Sequence, residues 1–202
     1  EQLSHASGKL IDGTSQLTVS NGSQLGKGSV AISQGGDLNF NNYGSKTAAS
    51  ELNNTVSGQG NFNLSNSNVS LSGNNQNLKD LSGNVNLSSG SNLTISQQGQ
   101  LNSGLTVNVT GKSDSLTVKT DGAFNLSNTV TGSGALNVDT NGKAFDFGAN
   151  VADDFKGTVN LGNSTLDISG NNTAALQDTT LSLGKDSIAD VTAKNQSIGG
   201  LE

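Results

Sequence analysis

One long phrase occurs twice in this chain. Gly58-Gln59-Gly60-Asn61-Phe62-Asn63-Leu64 returns as Gly132-Ser133-Gly134-Ala135-Leu136-Asn137-Val138, 74 positions on (132 − 58). A second phrase, Leu81-Ser82-Gly83-Asn84-Val85-Asn86-Leu87, returns at the same offset as Phe155-Lys156-Gly157-Thr158-Val159-Asn160-Leu161. A third, Asn92-Leu93-Thr94-Ile95-Ser96, matches Thr165-Leu166-Asp167-Ile168-Ser169 after the loss of one residue (165 − 92 = 73). Self-similarity at a fixed period marks a repeat architecture, in which each unit buries its apolar face only against its neighbours.

Composition then decides what kind of repeat. Apolar residues make up 31% of the 202 and aromatics 3%, too few for a thick core. Disorder is the first alternative for a chain with 27 Gly and 28 Asn. It is opposed by a charged fraction of only 13%, a net charge of −6, and apolar residues gathered in short alternating runs. The absence of Cys removes disulfides, thiolate zinc sites and a cysteine nucleophile. All ten basic residues are Lys, so the guanidinium fork that reads guanine and clamps phosphate is missing. With a pI near 4.6 and no basic stripe, the chain is not expected to bind nucleic acid. No apolar run reaches the roughly 20 residues of a membrane-spanning helix, so no membrane insertion by this segment is expected. Any secretory leader is expected to have been removed or left out of the fragment, and Leu201-Glu202 reads as a cloning scar on an excised piece of a longer protein.

Period-two alternation predicts strands over 17–20, 29–34, 37–42, 61–66, 68–72, 84–88, 92–96, 105–110, 115–120, 123–128, 135–140, 144–148, 158–161, 165–169, 180–183 and 187–191. Ser-Gly, Asn-Gly, Gly-Gly, Asp-Gly and Asn-Asn pairs between them suit turns with positive φ. Only 47–52 and 173–177 look briefly helix-compatible. The expected class is therefore all-β. A 74-residue unit of about six strands divides into three coils of about 24–25 residues, the size of a parallel β-solenoid (β-helix) rung, giving one solenoid of about eight coils and about 40 Å over residues 1–202. An immunoglobulin-like sandwich is the alternative, but it does not require the repeat. Phe62, Leu64, Val85, Leu87, Leu136, Val138, Val159 and Leu161 are expected to point inward. Asn is expected to stack at the corners, and the absence of Pro spares the ladder bonds between coils.

The repeated phrases, over about 56–95 and 130–168, resemble the passenger-associated repeat of bacterial autotransporters. Its pattern is a G-x-G-x-L-x-L strand, an aromatic-x-G-x-x-x-V turn and strand, and a G-x-L-x-L strand. Two departures stand out: Leu81 takes the place of the usual aromatic before Gly83, and Gly90 and Gly162 are displaced from the last strand's glycine position. The resemblance implies a right-handed parallel β-helix, export through the outer membrane by a separate C-terminal barrel, and a place on the bacterial cell surface. It also implies an adhesive or self-associating role, with a host surface, matrix protein or glycan, or the same protein on neighbouring cells, as partner.

Catalytic candidates are sparse. His5 is the single histidine and sits ahead of the first strand; no G-x-S-x-G elbow or Gly-Asp-Ser-Gly stretch accompanies the many serines. Asp153-Asp154 reads as a solvated turn before Phe155, since adjacent carboxylates in extended chain point to opposite faces. Asp12-Gly13, Asp121-Gly122 and Asp186 do not form the nonapeptide calcium pattern. Asp139, Asp146 and Asp167 occupy outward strand positions and, if stacked, would make a mildly acidic face; no pair suited to glycoside hydrolysis converges. The polar stretch 42–56 carries the only tyrosine, Tyr43, with Lys46 nearby, and reads as a loop with a candidate contact residue. Sequons such as those at Asn92 and Asn108 are numerous, as expected by chance from this composition. The expected function is a non-enzymatic surface adhesin or self-association stalk, with no metal or cofactor. The alternatives are a segment serving passenger folding and secretion, or part of an extracellular carbohydrate-active enzyme.

Overall fold

The computed structural model describes residues 8–20, 25–73, 76–148, 152, 154–168, 175–190 and 197–202. Among them lie 21 strands and no helix. In chain order they are β1 (Gly8–Ile11), β2 (Gln16–Val19), β3 (Ser29–Ile32), β4 (Asp37–Asn41), β5 (Ser50–Leu52), β6 (Val56–Gly58), β7 (Asn61–Ser65) and β8 (Asn68–Leu71). Next come β9 (Asn84–Ser88), β10 (Asn92–Ile95), β11 (Thr106–Val109), β12 (Ser115–Lys119), β13 (Phe124–Leu126), β14 (Thr129–Gly132) and β15 (Ala135–Asp139). The last are β16 (Ala144–Phe147), β17 (Thr158–Leu161), β18 (Thr165–Asp167), β19 (Thr180–Leu183), β20 (Ile188–Asp190) and β21 (Gly200–Leu201).

Every pairing between these strands is parallel, and the coils stack into a β-solenoid of about eight turns. The chain winds over three faces in a fixed cycle. Face I holds β1-β3-β6 and, farther along, β13-β16-β18-β20. Face II holds β2-β4-β7-β9-β11-β14, and face III runs almost the whole length as β5-β8-β10-β12-β15-β17-β19-β21. The eight strands of face III span about 34 Å at about 4.8 Å per spacing.

Alternation explains the cross-section. In β7, Phe62 and Leu64 are buried while Asn61, Asn63 and Ser65 are half-exposed; β9, β10, β11, β12, β15 and β17 repeat that pattern. All eight residues expected to point inward are buried. One narrow apolar column results, with Phe40 edge-on to Phe62 (centroids 4.8 Å) and Phe145 edge-on to Phe147 (5.1 Å). A tube this thin is filled by one or two side chains per face, which reconciles dry packing with so low an apolar content.

The register revises the coil length. Asn61 pairs with Asn84, Asn84 with Thr106, and Thr106 with Thr129. Those steps of 23, 22 and 23 residues fall short of the expected 24–25. Three coils thus consume 68 of the 74 positions, and the remaining six carry the chain across one more face, to Ala135. The two copies of the phrase therefore lie on different faces. β6 and β7 are on faces I and II, whereas their counterparts β14 and β15 are on II and III.

This rotation accounts for where each sheet is interrupted. After β6, face I continues only through isolated bridges, Gly58 to Leu81 and Leu78 to Leu101; after β14, face II continues through the equivalent bridge, Gly132 to Phe155. Leu81 and Phe155 are both fully buried, so the leucine fills the same inward place as the aromatic. The glycine two residues later is fixed by contact. A Cβ on Gly83 would collide with the Gly60 carbonyl oxygen, and one on Gly157 with the Gly134 carbonyl oxygen. Of the two helix-compatible segments, 47–52 contains a bridge residue, Ala48, and β5, while the described part of the other is a turn over 175–178.

Candidate functional site

Outward strand positions on face II form side-chain ladders along the axis. Asn63 Nδ2 donates to Asn39 Oδ1 (2.9 Å), Asn86 Nδ2 to Asn63 Oδ1 (2.8 Å), and Asn108 Nδ2 to Asn86 Oδ1 (2.6 Å). Thr131 Oγ1 closes the row on Asn108 Oδ1, and Asn39 reaches back to Gln16 and Thr18. A second row runs beside it: Asn84 Nδ2 donates to Asn61 Oδ1, and Asn61 Nδ2 to Asp37 Oδ1. From β7 to β14 these two rows hold only Asn and Thr and carry no charge.

Face III has the same character. Its two central rows, beginning at Asn68 and Ser70, contain Asn, Ser and Thr from β8 to β19, interrupted only by Ala135. Asn160 Nδ2 donates to Asn137 Oδ1 (2.8 Å), and Asn92 Oδ1 accepts from both Ser115 Oγ and Thr117 Oγ1 (2.7 Å each). The sequon asparagines Asn92 and Asn108 are thus tied into ladders.

At the corner between faces II and III one asparagine pair stacks as expected, Asn66 Nδ2 donating to Asn42 Oδ1 (2.7 Å), and a second device works beside it. Where face II turns into face III, the Tyr43 N–H donates to Ser67 Oγ (3.0 Å), the Ser67 N–H to Ser91 Oγ (3.0 Å), and the Ser91 N–H to Asp114 Oδ1 (2.8 Å). Asp114 ends this series. Its carboxylate also accepts from the N–H groups of Gly90 (2.9 Å) and Gly111 (2.9 Å), and the residue is only 2% exposed. In the second copy the device moves one corner on, with the Thr140 N–H donating to Ser164 Oγ. Buried corner amides satisfy carbonyls of the preceding coil: Asn54 Nδ2 donates to Gly26 and Gly28, and Asn77 Nδ2 to Leu52 and Asn54. Sequence reasoning passed over Asp114. It reads as an ordinary turn residue in Gly-Lys-Ser-Asp-Ser, and nothing local announces that three amides from two coils will meet it.

The other expected site residues disperse. Tyr43 is not an exposed contact residue: it is 3% exposed, and its ring stacks on Phe40 at 4.3 Å. Asn42, with a positive φ of 57°, breaks the alternation that buries Leu38 and Phe40 and turns Tyr43 into the coil interior, where burial pushes the phenol's pKa up. Lys46 stays exposed, at the tip of a small bridge between Ser45 and Ala48. Asp139 faces solvent on face III as the register partner of Lys119. Asp146 and Asp167 belong instead to face I, where Asp167 pairs in register with Asp190. The three aspartates expected to make one acidic face are therefore split between two.

Asp12, Asp121 and Asp186 are exposed, Asp12 where face I turns into face II and the other two on different coils where face III turns into face I, and Asp154 is exposed. His5 and Asp153 lie outside the described residues. Among the described residues, no group of three or more His, Cys, Asp or Glu side chains comes together in a form suited to a metal ion. Three grooves lined mainly by Asn, Ser, Thr, Gly and Lys lie among the described residues along the corner between faces II and III. Comparison with family models, with curated proteins and with solved structures found no match.

Proposed function

We propose that this chain is a segment of a bacterial autotransporter passenger, exported to the cell surface, that acts as an adhesin or self-association stalk through its extended polar faces and not as an enzyme. The observation that carries the reading is the lattice of uncharged amide and hydroxyl side chains on two adjoining faces. The repeated phrases and the parallel stacked coils support the passenger assignment. A cysteine-free solenoid whose stability is nearly a sum of neighbour terms is suited to folding coil by coil as it emerges from a pore.

The ladder geometry supports adhesion specifically. Asn86 and Asn108 each spend one Nδ2–H and one Oδ1 lone pair on their axial neighbours, which leaves a second of each for a partner on successive coils, whereas Asn63 Nδ2 already donates to both Asn39 and Asp37. A second copy of the same face has the same axial period of about 4.8 Å and meets this array in step. Each hydrogen bond contributes about 0.5–1.5 kcal/mol, so the contact is weak per coil and strong in sum. Many copies on a surface raise it further.

Sedimentation of the purified chain, together with aggregation of cells displaying it, tests this. Single alanine changes at Asn63, Asn86 or Asn108 should each leave association nearly intact. Changing all three to Lys should abolish it while far-UV circular dichroism stays unchanged, and association of the original chain should vary only modestly with salt. Loss of association through one residue alone, or full association by the triple variant, would reject the reading.

A further inference from the structure

We propose that the corner between faces II and III is a binding groove for a linear acidic polysaccharide. This deepens the adhesive reading and rests on it. Three depressions lie end to end along this one corner. The first, of about 530 Å3, runs from Lys46 past Asn68 and Asn92 to Ser113 and Ser115. The second, of about 620 Å3, runs from Lys112 past Ala135 and Lys156 to Thr180. Ser115 and Ala135 are register partners on neighbouring coils, so the two are continuous. The third shares Lys156 and Thr180 with the second and extends it to Asp178 and Gly199. From Asn68 to Thr180 the trough crosses five coil spacings, about 24 Å.

Charge selects the occupant. The molecule is acidic overall, yet the exposed charges along the trough are Lys46, Lys112 and Lys156, with Asp178 at the far end. Asp114, beneath the floor, is turned inward onto three backbone amides. The aspartates of face I lie across the body of the solenoid, and at physiological salt their field is damped within about 8 Å. By coil count Lys112 stands about 14 Å from Lys46 and about 10 Å from Lys156 along the axis. That density suits a polymer ionised on every second or third unit. Duplex nucleic acid presents one charge per about 1.7 Å and would leave most of its phosphates unmatched.

The lining chemistry separates a sugar polymer from an acidic peptide. An extended peptide gains most of its affinity from backbone pairing at an open strand edge. Here the backbone groups are already used between coils, as in Asn68 N–H to Tyr43 O (2.7 Å), Asn92 N–H to Ser67 O (2.8 Å) and Ser115 N–H to Ser91 O (2.9 Å). Beyond Ala135 the Thr158 and Thr180 N–H groups are likewise bonded, to Gly134 O and Gly157 O. What the groove offers is hydroxyl and amide side chains with ammonium groups at intervals, complementary to sugar hydroxyls and spaced carboxylates or sulfates. One coil spacing is close to the advance of one β-linked hexose, so successive coils address successive sugars.

The test uses a fluorescein-labelled hyaluronan decasaccharide, which carries a carboxylate on every second sugar, and follows its polarisation with the purified chain at 0.15 M salt. Binding is expected, falling with added salt and weaker for a neutral dextran of equal length. The variant K112Q/K156Q should lose about tenfold, as two favourable exposed ion pairs would contribute. K119Q, outside the groove, should stay within about twofold, and circular dichroism should match the original for both. The proposal is overturned by absent binding, by an unaffected K112Q/K156Q, or by tighter binding of an oligoglutamate or a single-stranded oligonucleotide. Self-association by sedimentation in the same samples separates the two ideas: association without hyaluronan binding removes the groove and leaves the adhesive faces standing.

Discussion

Removing the Asp114 carboxylate should weaken the solenoid more than any other single polar change. In Asp114→Ala, three N–H groups from two consecutive coils lose their acceptor at once. The Ser91 amide is buried and bears the full cost of an unsatisfied donor, about 1–3 kcal/mol. Water reaches the half-buried Gly90 and Gly111 amides and reduces their loss to about 0.5–1 kcal/mol each. Together these come to about 2–5 kcal/mol. Asp114→Asn keeps the shape and one oxygen but aims an amide N–H at a backbone donor, and should cost about half as much. Urea unfolding followed by far-UV circular dichroism measures the total. Native-state hydrogen exchange locates it, with protection falling at residues 90, 91 and 111 and little at coils far along the axis, because the solenoid couples nearest neighbours. An Asp114→Ala chain within about 0.5 kcal/mol of the original, or a loss of protection spread evenly over all coils, would refute the reasoning.

Further expectations concern the core, a corner, a ladder and a phenol. Phe62→Ala empties a fully buried site between Phe40 and the next coil and should cost about 3–5 kcal/mol in urea unfolding. Gly157→Ala drives a methyl into the Gly134 carbonyl and should cost about 1–3 kcal/mol, with an equal effect for Gly83→Ala in the first copy. Asn86→Ala interrupts a half-exposed ladder and should cost only about 1 kcal/mol by the same measurement. Burial raises the Tyr43 pKa, so the folded chain holds that proton to higher pH than the unfolded chain. Its share of stability is intact below about pH 10 and is lost as pH climbs through the folded value. Tyr43→Phe should remove this alkaline loss in melts recorded between neutral pH and pH 11.

Much of the architecture was legible because inward Leu, Val, Ile and Phe alternate with Asn, Ser and Thr in runs of four or five. Each expected strand segment overlaps an observed strand. The strands outside the expected segments, β1, β5, β6, β14 and β21, are two to four residues long. In Val56-Ser57-Gly58 a single apolar residue points inward, too little to display a period of two. Coil length was misjudged for a geometric reason: a repeat does not have to close on a whole number of turns, and this one overshoots three turns by a face. Tyr43 was misjudged because burial at a corner depends on Phe40 beneath it, a contact that spacing does not reveal. Asp114 illustrates the same limit, since its partners become neighbours only when consecutive coils stack.

The ladders, the groove and the shared adhesive face all depend on one claim, that the repeat advances three coils and one face. Bridging of engineered cysteines tests it most directly, because the chain has no cysteine of its own. In Asn108→Cys/Thr131→Cys and Thr117→Cys/Asn137→Cys the thiols sit on adjacent strands in register, on faces II and III respectively. Dibromobimane, which fluoresces only when it joins two nearby thiols, should label both pairs efficiently. The pair Asn108→Cys/Asn137→Cys lies across two faces and should remain dark. Bright labelling of that last pair, with failure of Thr117→Cys/Asn137→Cys, would mean that both copies share a face and would contradict the account.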